Sequence, residues 1–206
     1  MSNQKPLVII GAGGHASVLL DILKQQKRKV IAYISPKVAL NKSHFEGIKH
    51  LRKDEDISQF TPENIELING IGYMPKSQLR AKIYQKFNDL GYNFSGVIAE
   101  SAIISSYATV APSAQVLAGV IVQVGSVIGA NSLINTGTII EHDTTIESNV
   151  HLAPKTLVCG NSRIGRASFV GAGATIINNI SVGEQCIVAA GSCIVKNVPS
   201  QTLSRG

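Results

Sequence analysis

The chain has 206 residues, enough for one large domain or two small ones, and carries 19 Lys and Arg against 13 Asp and Glu, a net charge of +6. No apolar run approaches the roughly 20 residues that span a bilayer, so no membrane insertion is expected, and Leu7–Ile10 is too short for a signal peptide. Three cysteines (Cys159, Cys186, Cys193) lack ligand spacing, which predicts no metal site and a reducing, cytoplasmic location.

The charge is uneven. Up to Val97 there are 14 Lys and Arg against 8 Asp and Glu; from Ile98 on there are 5 of each. The basic residues are scattered, without interleaved aromatics or a dense stripe, so no nucleic-acid partner is expected. An anionic small-molecule substrate and a solvated surface both account for the excess.

Residues 1–97 read as alternating strands and helices. Leu7–Ile10 is a short buried strand, followed by the turn Gly11-Ala12-Gly13-Gly14. Ala16–Gln26 has helical spacing, with Val18, Leu19, Ile22 and Leu23 on one face. Val30–Ile34 is a second strand, and residues 35–50 read as a polar loop. Ile65–Ile68 with Ile71 forms a third strand region. Ser77–Leu90 is a second helix with Leu79, Ile83, Phe87 and Leu90 aligned, ended by Gly91. Tyr92–Ile98 reads as a fourth strand. This order implies a small parallel sheet flanked by helices, a Rossmann-like β-α-β domain.

Residues 98–206 have a different grammar. From Ile98 to Ile194 every sixth residue is Ile, Leu or Val, seventeen times without exception. Four residues after most of them stands a small or β-branched residue, such as Ala114, Ser126, Thr144 and Cys186, while Gly, Asn and Asp crowd the turns between. A period of six suits neither a helix nor an isolated strand. It suits a strand and a turn of fixed length, three of which close one triangular coil of 18 residues. Successive coils then stack about 4.8 Å apart. The pattern is that of a left-handed parallel β-helix of hexapeptide repeats.

Few polar side chains in the repeat look reactive. Glu141-His142-Asp143 occupies a turn, where either carboxylate can accept a hydrogen bond from the imidazole and orient it as a base. His151 precedes an inward aliphatic and so points outward near the middle of a face. Nine residues separate the two histidines, one and a half faces of the triangle, so the core lies between them. If both serve one site, that site lies between subunits, and a trimer about a three-fold axis is the natural assembly. In the first half, Gly11-Ala12-Gly13-Gly14-His15-Ala16 joins a strand to a helix, a place where backbone N–H groups cradle an anion. It also satisfies the loose dinucleotide fingerprint, but the second strand ends Tyr33-Ile34-Ser35-Pro36 without the acidic residue that NAD binding calls for.

The combination of G-A-G-G-H-A, an unbroken hexapeptide domain and I-E-H-D followed by His151 resembles the bacterial sugar O-/N-acyltransferases. These are typified by sialic acid O-acetyltransferases and by N-acetyltransferases acting on nucleotide-linked 4-amino sugars. The resemblance covers essentially the whole chain. It implies a sugar- or nucleotide-binding domain over 1–97, an acyltransferase domain over 98–206, and acetyl-CoA as co-substrate without a metal. It further implies His142 as general base with Asp143 raising its basicity, and His151 reaching acetyl-CoA from a neighbouring subunit. Gly160 would offer a backbone N–H to the thioester oxygen, and Ala172 and Ala190 would line the pantetheine arm. Gly13, Gly14, His15, Ser35 and Gly72 would surround the sugar or its nucleotide. The implied reaction is acetyl transfer to the amine of a nucleotide-linked amino sugar of the UDP-4-amino-sugar type in surface-glycan biosynthesis. Its rivals are O-acetylation of sialic acid or a related sugar, and a binding module that has lost its chemistry. Two departures stand out: relatives usually carry Asp-Asp at Ser35-Pro36, and commonly continue through Gly-x-Pro-Ala-Lys where this chain stops at Arg205-Gly206.

Overall fold

The computed structural model describes residues 4–40, 42–73, 75 and 77–206. They divide into two compact units, Met1–Val97 and Ile98–Gly206. The first is α/β and the second a left-handed parallel β-helix.

In the first unit, strands β1 (Leu7–Ile10), β2 (Val30–Ile34), β3 (Lys49–Leu51) and β4 (Glu66–Asn69) form one parallel sheet in the order β3-β2-β1-β4. Every residue of β1 is buried, as a central parallel strand requires. Helix α1 (Gly14–Gln25) buries Ala16, Leu19, Leu20, Ile22 and Leu23, while Val18 is turned outward. Helix α2 (Leu79–Asp89) corrects the predicted face more strongly. Leu79 opens the helix and Leu90 caps it, so both lie beyond the packed turns and are exposed; Phe87 is buried as expected, and Arg80, outside the predicted face, is buried with it.

The loop 35–50 holds structure that its polarity hides. A 3₁₀ turn (Ser43–Phe45) leads to β3, which pairs Tyr33 with His50 and Ile34 with Leu51. An edge strand of Lys-His-Leu has little hydrophobic signature, because one side of it faces water. The predicted strand over Tyr92–Ile98 reduces to one bridge, Leu67 with Phe94, and the two residues Val97–Ile98. Between them Ser95-Gly96 interrupts the extended run.

The second unit is a three-sided prism of two-residue strands. Face A carries the strands beginning at Ile103, Ile121, Ile139, Leu157, Thr175 and Cys193. Face B carries those beginning at Thr109, Val127, Thr145, Arg163 and Ser181. Face C includes those beginning at Gln115, Leu133, His151, Phe169 and Ile187. The registers step by 18 residues throughout, for instance Ile121 to Ile139 to Leu157.

The second residue of each strand points inward, and from Val116 to Ile194 these aliphatics are at most 2% exposed. The series loosens only at its N-terminal end, where Ile98 is 41% exposed and Ile104 and Val110 are partly buried. The small residues two places before each inward aliphatic also face the core. Where they are Ser or Thr, their hydroxyls are satisfied from the neighbouring coil: Ser126 donates to the Glu141 carbonyl at 2.8 Å, Ser132 to Glu147 at 2.7 Å and Ser168 to Gly183 at 2.7 Å. Every sixth residue from Gly119 to Gly191 has positive φ, which turns the chain at each corner. Cys186 is fully buried among the core residues, Cys159 is partly buried and Cys193 exposed.

Candidate functional site

Two regions gather the candidate residues. The first is the carboxyl edge of the small sheet. Because β1, β2 and β4 are parallel and Ile10 is in register with both Ile34 and Asn69, the segments that follow them leave the sheet side by side. This edge is where parallel α/β sheets bind ligands. Gly13 caps α1, Gly14 and His15 form its first turn, and no acidic side chain occupies that turn. The helix N-terminus therefore presents its N–H groups and partial positive charge unopposed by a neighbouring acid. Ser35 follows β2, its N–H donating to the Leu51 carbonyl at 2.9 Å and its carbonyl accepting from His50 Nε2 at 2.7 Å. Gly72 follows β4 and faces His15, since a Cβ on it would lie 3.5 Å from that of His15. The structure thus brings Gly13, Gly14, His15, Ser35 and Gly72 to one edge.

Three further residues shape this edge. Lys42 Nζ donates to the Ala12 carbonyl at 2.5 Å, tying the loop to the glycine turn. Beside it a cavity of about 600 Å³ is lined by Tyr33, Val38, Lys42, Phe45 and His50. Tyr33 stacks on His50 and meets Phe45 edge-on. Gly70 permits the close approach of β1, β4 and α1: a Cβ there would lie 2.7 Å from the Ile10 carbonyl oxygen and 2.9 Å from the Ala16 Cβ. Arg80 holds the same segment from behind, donating to the carbonyls of Asn69 at 2.9 Å and Ile71 at 2.8 Å. Burial lowers its guanidinium to about 9, so it is charged at neutral pH. Sequence reasoning missed all three; only the I-N-G-I-G run after a strand carried a signal.

The second region is the corner between faces A and B. Here His142 Nδ1 lies 2.9 Å from Asp143 Oδ2, with both side chains more than half exposed. Asp143, not Glu141, is the carboxylate that orients the ring. A ring nitrogen facing a carboxylate carries the hydrogen, which leaves Nε2 as the basic lone pair. The turn backbone is held on both sides: Asp143 N–H donates to the Val124 carbonyl and Asn161 N–H to the His142 carbonyl, each at 3.0 Å. Gly160 lies one coil beyond His142, against its ring. Cys159 borders the same corner. Burial first, and the Glu141 carboxylate second, push its thiol upward.

His151 sits on face C, opposite that corner, so the structure does not bring the two histidines together within the chain. The expected surface position needs correction: His151 is 7% exposed. Its ring meets Phe169 edge-on at 5.2 Å, and Asn135 Nδ2 lies 3.3 Å from its Nε2. Ala172 and Ala190 are exposed at the corner between faces C and A. Each precedes a glycine, Gly173 and Gly191, around which a Cβ would meet nothing within 4 Å. That corner is bare backbone. Among the described residues no group of three or more His, Cys, Asp or Glu could hold a metal ion, and no helix is long and apolar enough to cross a membrane.

Residues 6–87 match the family model of the PglD N-terminal domain. Among solved structures, a variant of perosamine N-acetyltransferase from Caulobacter crescentus, in complex with CoA and GDP-perosamine, is 29% identical, with TM-score 0.86 over 95% of this chain and 91% of that one. The acetyltransferase domain of PglB from Neisseria gonorrhoeae, in complex with acetyl coenzyme A, is 25% identical, with TM-score 0.87 over 98% and 97%. WeeI from Acinetobacter baumannii, 20% identical with TM-score 0.83 over 98% and 97%, shares the fold. No curated protein sequence matches the chain. With a PglD-type N-terminal domain over residues 6–87 joined to a hexapeptide-repeat prism, the chain is similar over nearly its whole length to bacterial sugar N-acetyltransferases of the hexapeptide-repeat type.

Proposed function

We propose that this protein transfers the acetyl group of acetyl-CoA to the amine of a nucleotide-linked amino sugar, with His142 as general base. The observation that carries the reading is the His142–Asp143 pair at 2.9 Å, exposed on an otherwise unreactive prism. As the sugar nitrogen attacks the thioester carbon, Nε2 of His142 takes a proton from the nitrogen and the carbon–nitrogen bond forms. The oxygen of the tetrahedral centre accepts the Gly160 N–H. Collapse then breaks the carbon–sulfur bond, and the proton held by His142 passes to the departing thiolate of CoA. Asp143 keeps the ring in the productive tautomer and stabilises the imidazolium between these two steps.

The solved relatives support the substrates: one holds CoA and GDP-perosamine, another acetyl coenzyme A. The glycine turn at Gly13–His15 suits the diphosphate of such an acceptor, and Ser35 and Gly72 flank it. The backbone at Ala172 and Ala190 suits the pantetheine arm, where small side chains let an extended chain lie flat. The outward residues of face A support a homotrimer. Ile103, Ile121, Ile139 and Leu157 form an aliphatic stripe between the His142 corner and the Ala172 corner. A second subunit packed there would bring its own residues, His151 among them, toward the coenzyme.

The test is release of the CoA thiol from acetyl-CoA with UDP-linked amino sugars, GDP-linked amino sugars and free sialic acid as acceptors. Turnover with an amino-sugar nucleotide is expected, UDP-linked by the original resemblance, with loss of about 10²- to 10⁴-fold in His142→Ala. Turnover with sialic acid alone would replace the amine by a hydroxyl acceptor, and near-normal turnover in His142→Ala would refute the mechanism.

A further inference from the structure

We infer that Gly125 and Gly160 are positioning residues for the His142–Asp143 pair, leaving the space into which the imidazole and the carboxylate settle. The inference rests on the reading of His142 as the base. A Cβ on Gly160 would lie 2.5 Å from His142 Nε2 and 2.7 Å from Cε1, so the ring occupies the volume a side chain would fill. On the other side of the turn, a Cβ on Gly125 would overlap Asp143 Oδ1 and come within 3.3 Å of its Cγ. Glycine one coil before makes room for the acid; glycine one coil after makes room for the base.

Neither glycine is dictated by the turn alone. Gly160 does not have the positive φ that would call for glycine. The equivalent turn position elsewhere holds Thr136, Arg166, Ala172, Glu184 and Ala190. Gly125 has φ +73°, but other corners at that position accept Asn, and consecutive coils even stack them: Asn131 donates to Asn149 at 2.8 Å and Asn161 to Asn179 at 2.7 Å. The requirement for glycine therefore comes from the neighbouring side chains. The backbone of the turn is bonded to Val124 above and Asn161 below, so an added methyl group moves the side chains and not the chain. Both side chains have solvent to move into, at 58% and 65% exposure. The damage falls on position rather than on stability.

Gly160→Ala separates this role from the oxyanion role, because it retains the N–H and adds only a methyl group. A ring displaced by about 1 Å is expected to lower kcat by about 10²-fold, with both KM values and the melting temperature little changed. Gly125→Asn, which tolerates the corner conformation, is expected to lower kcat as Asp143→Asn does and to add nothing in the Asp143→Asn background. The crystal structure of the Gly160→Ala protein reports the ring directly. A lost kcat with the ring displaced supports the inference. A ring in place with kcat unchanged overturns the inference alone. A displaced ring with kcat unchanged overturns the assignment of His142 as base. A lost kcat with the ring in place shows that Gly160 acts by another route and refutes its positioning role.

Discussion

Replacing Asp143 by Asn tests how much of the base strength resides in one charge. The substitution keeps an acceptor oxygen opposite His142 Nδ1, where the native distance is 2.9 Å, and Asn tolerates the corner conformation at φ 55°. What disappears is the negative charge that stabilises the imidazolium. A hydrogen bond to a charged group contributes roughly 1.5–3 kcal/mol and a neutral one roughly 0.5–1.5. The difference of about 1–1.5 kcal/mol corresponds to about 5- to 13-fold in kcat. An Asn that flips its amide toward Nδ1 would stabilise the wrong tautomer and enlarge the loss. In a buried triad that error costs about 10⁴-fold, but here the ring is 58% exposed and can exchange through water, so the total is expected to stay below about 10²-fold. Stability should barely respond, since exposed pairs contribute about 0–1 kcal/mol. Initial rates of thiol release, with thermal unfolding run in parallel, measure both. A kcat within two-fold of the parent, or an equal further loss when Asp143→Asn is added to His142→Ala, would refute the coupling between the two residues.

Gly70→Ala places a Cβ 2.7 Å from the Ile10 carbonyl oxygen and 2.8 Å from Ile9 Cγ2. Overpacking of about 1–3 kcal/mol should lower the melting temperature by roughly 2–4 °C per kcal/mol; an unchanged melting curve would disprove the close approach. Ile121→Asp puts a charge in the middle of the aliphatic stripe on face A, and sedimentation should show the proposed homotrimer reduced to monomers. Retention of the trimer would move the interface to another face. Among the thiols, Cys186 is fully buried and should resist alkylation until the protein unfolds, whereas Cys159, partly buried and pushed upward by burial and Glu141, should react slowly at neutral pH and faster as pH rises. Peptide mass spectrometry distinguishes the two, and labelling of Cys186 in the native protein would contradict the packed core.

The prism was legible because its signal repeats. A single inward aliphatic says little, but Ile128, Ile134, Ile140 and Ile146 at fixed spacing admit few other arrangements, and all are buried. The glycine turn and the start of α1 were legible for a related reason: strand, turn and helix each restrict residue type locally. What escaped depends on contacts across the chain. Helix α2 looks apolar at Leu79 and Leu90, yet both are exposed and Arg80 beside them is buried, its guanidinium donating to two carbonyls contributed from β4 and its loop. Lys42 reads as one more scattered lysine until the fold brings it to Ala12. His151 reads as a surface residue, because period two says only that it points away from the core and not that Phe169 lies beside it.

A filled prism limits where chemistry can sit, and the limit explains why the candidate pair lies at a corner. Inward strand positions are consumed by the core, which leaves outward strand positions and turns. Within each turn, the N–H three residues after the inward aliphatic is spent on the neighbouring coil, as Asp143 is on Val124 and Asn161 on His142. The N–H one residue earlier faces outward. At Arg166 it donates to Glu147 Oε2 at 2.8 Å, at Glu184 to Ser200 Oγ at 3.0 Å and at Thr136 to Asn135 Oδ1 at 2.8 Å. His142 and Gly160 both hold that earlier position, one coil apart. The backbone positions that carry the basic side chain and the outward N–H thus lie about one strand spacing apart, roughly 4.8 Å, with the imidazole itself against Gly160. A tetrahedral carbon seated over this corner can turn its attacking nitrogen toward the base and its oxygen toward the N–H. Moving the base by one residue, to 143, would put it on a backbone position whose partner N–H is already bonded. The reaction proposed here therefore needs His at 142 and a bare residue at 160.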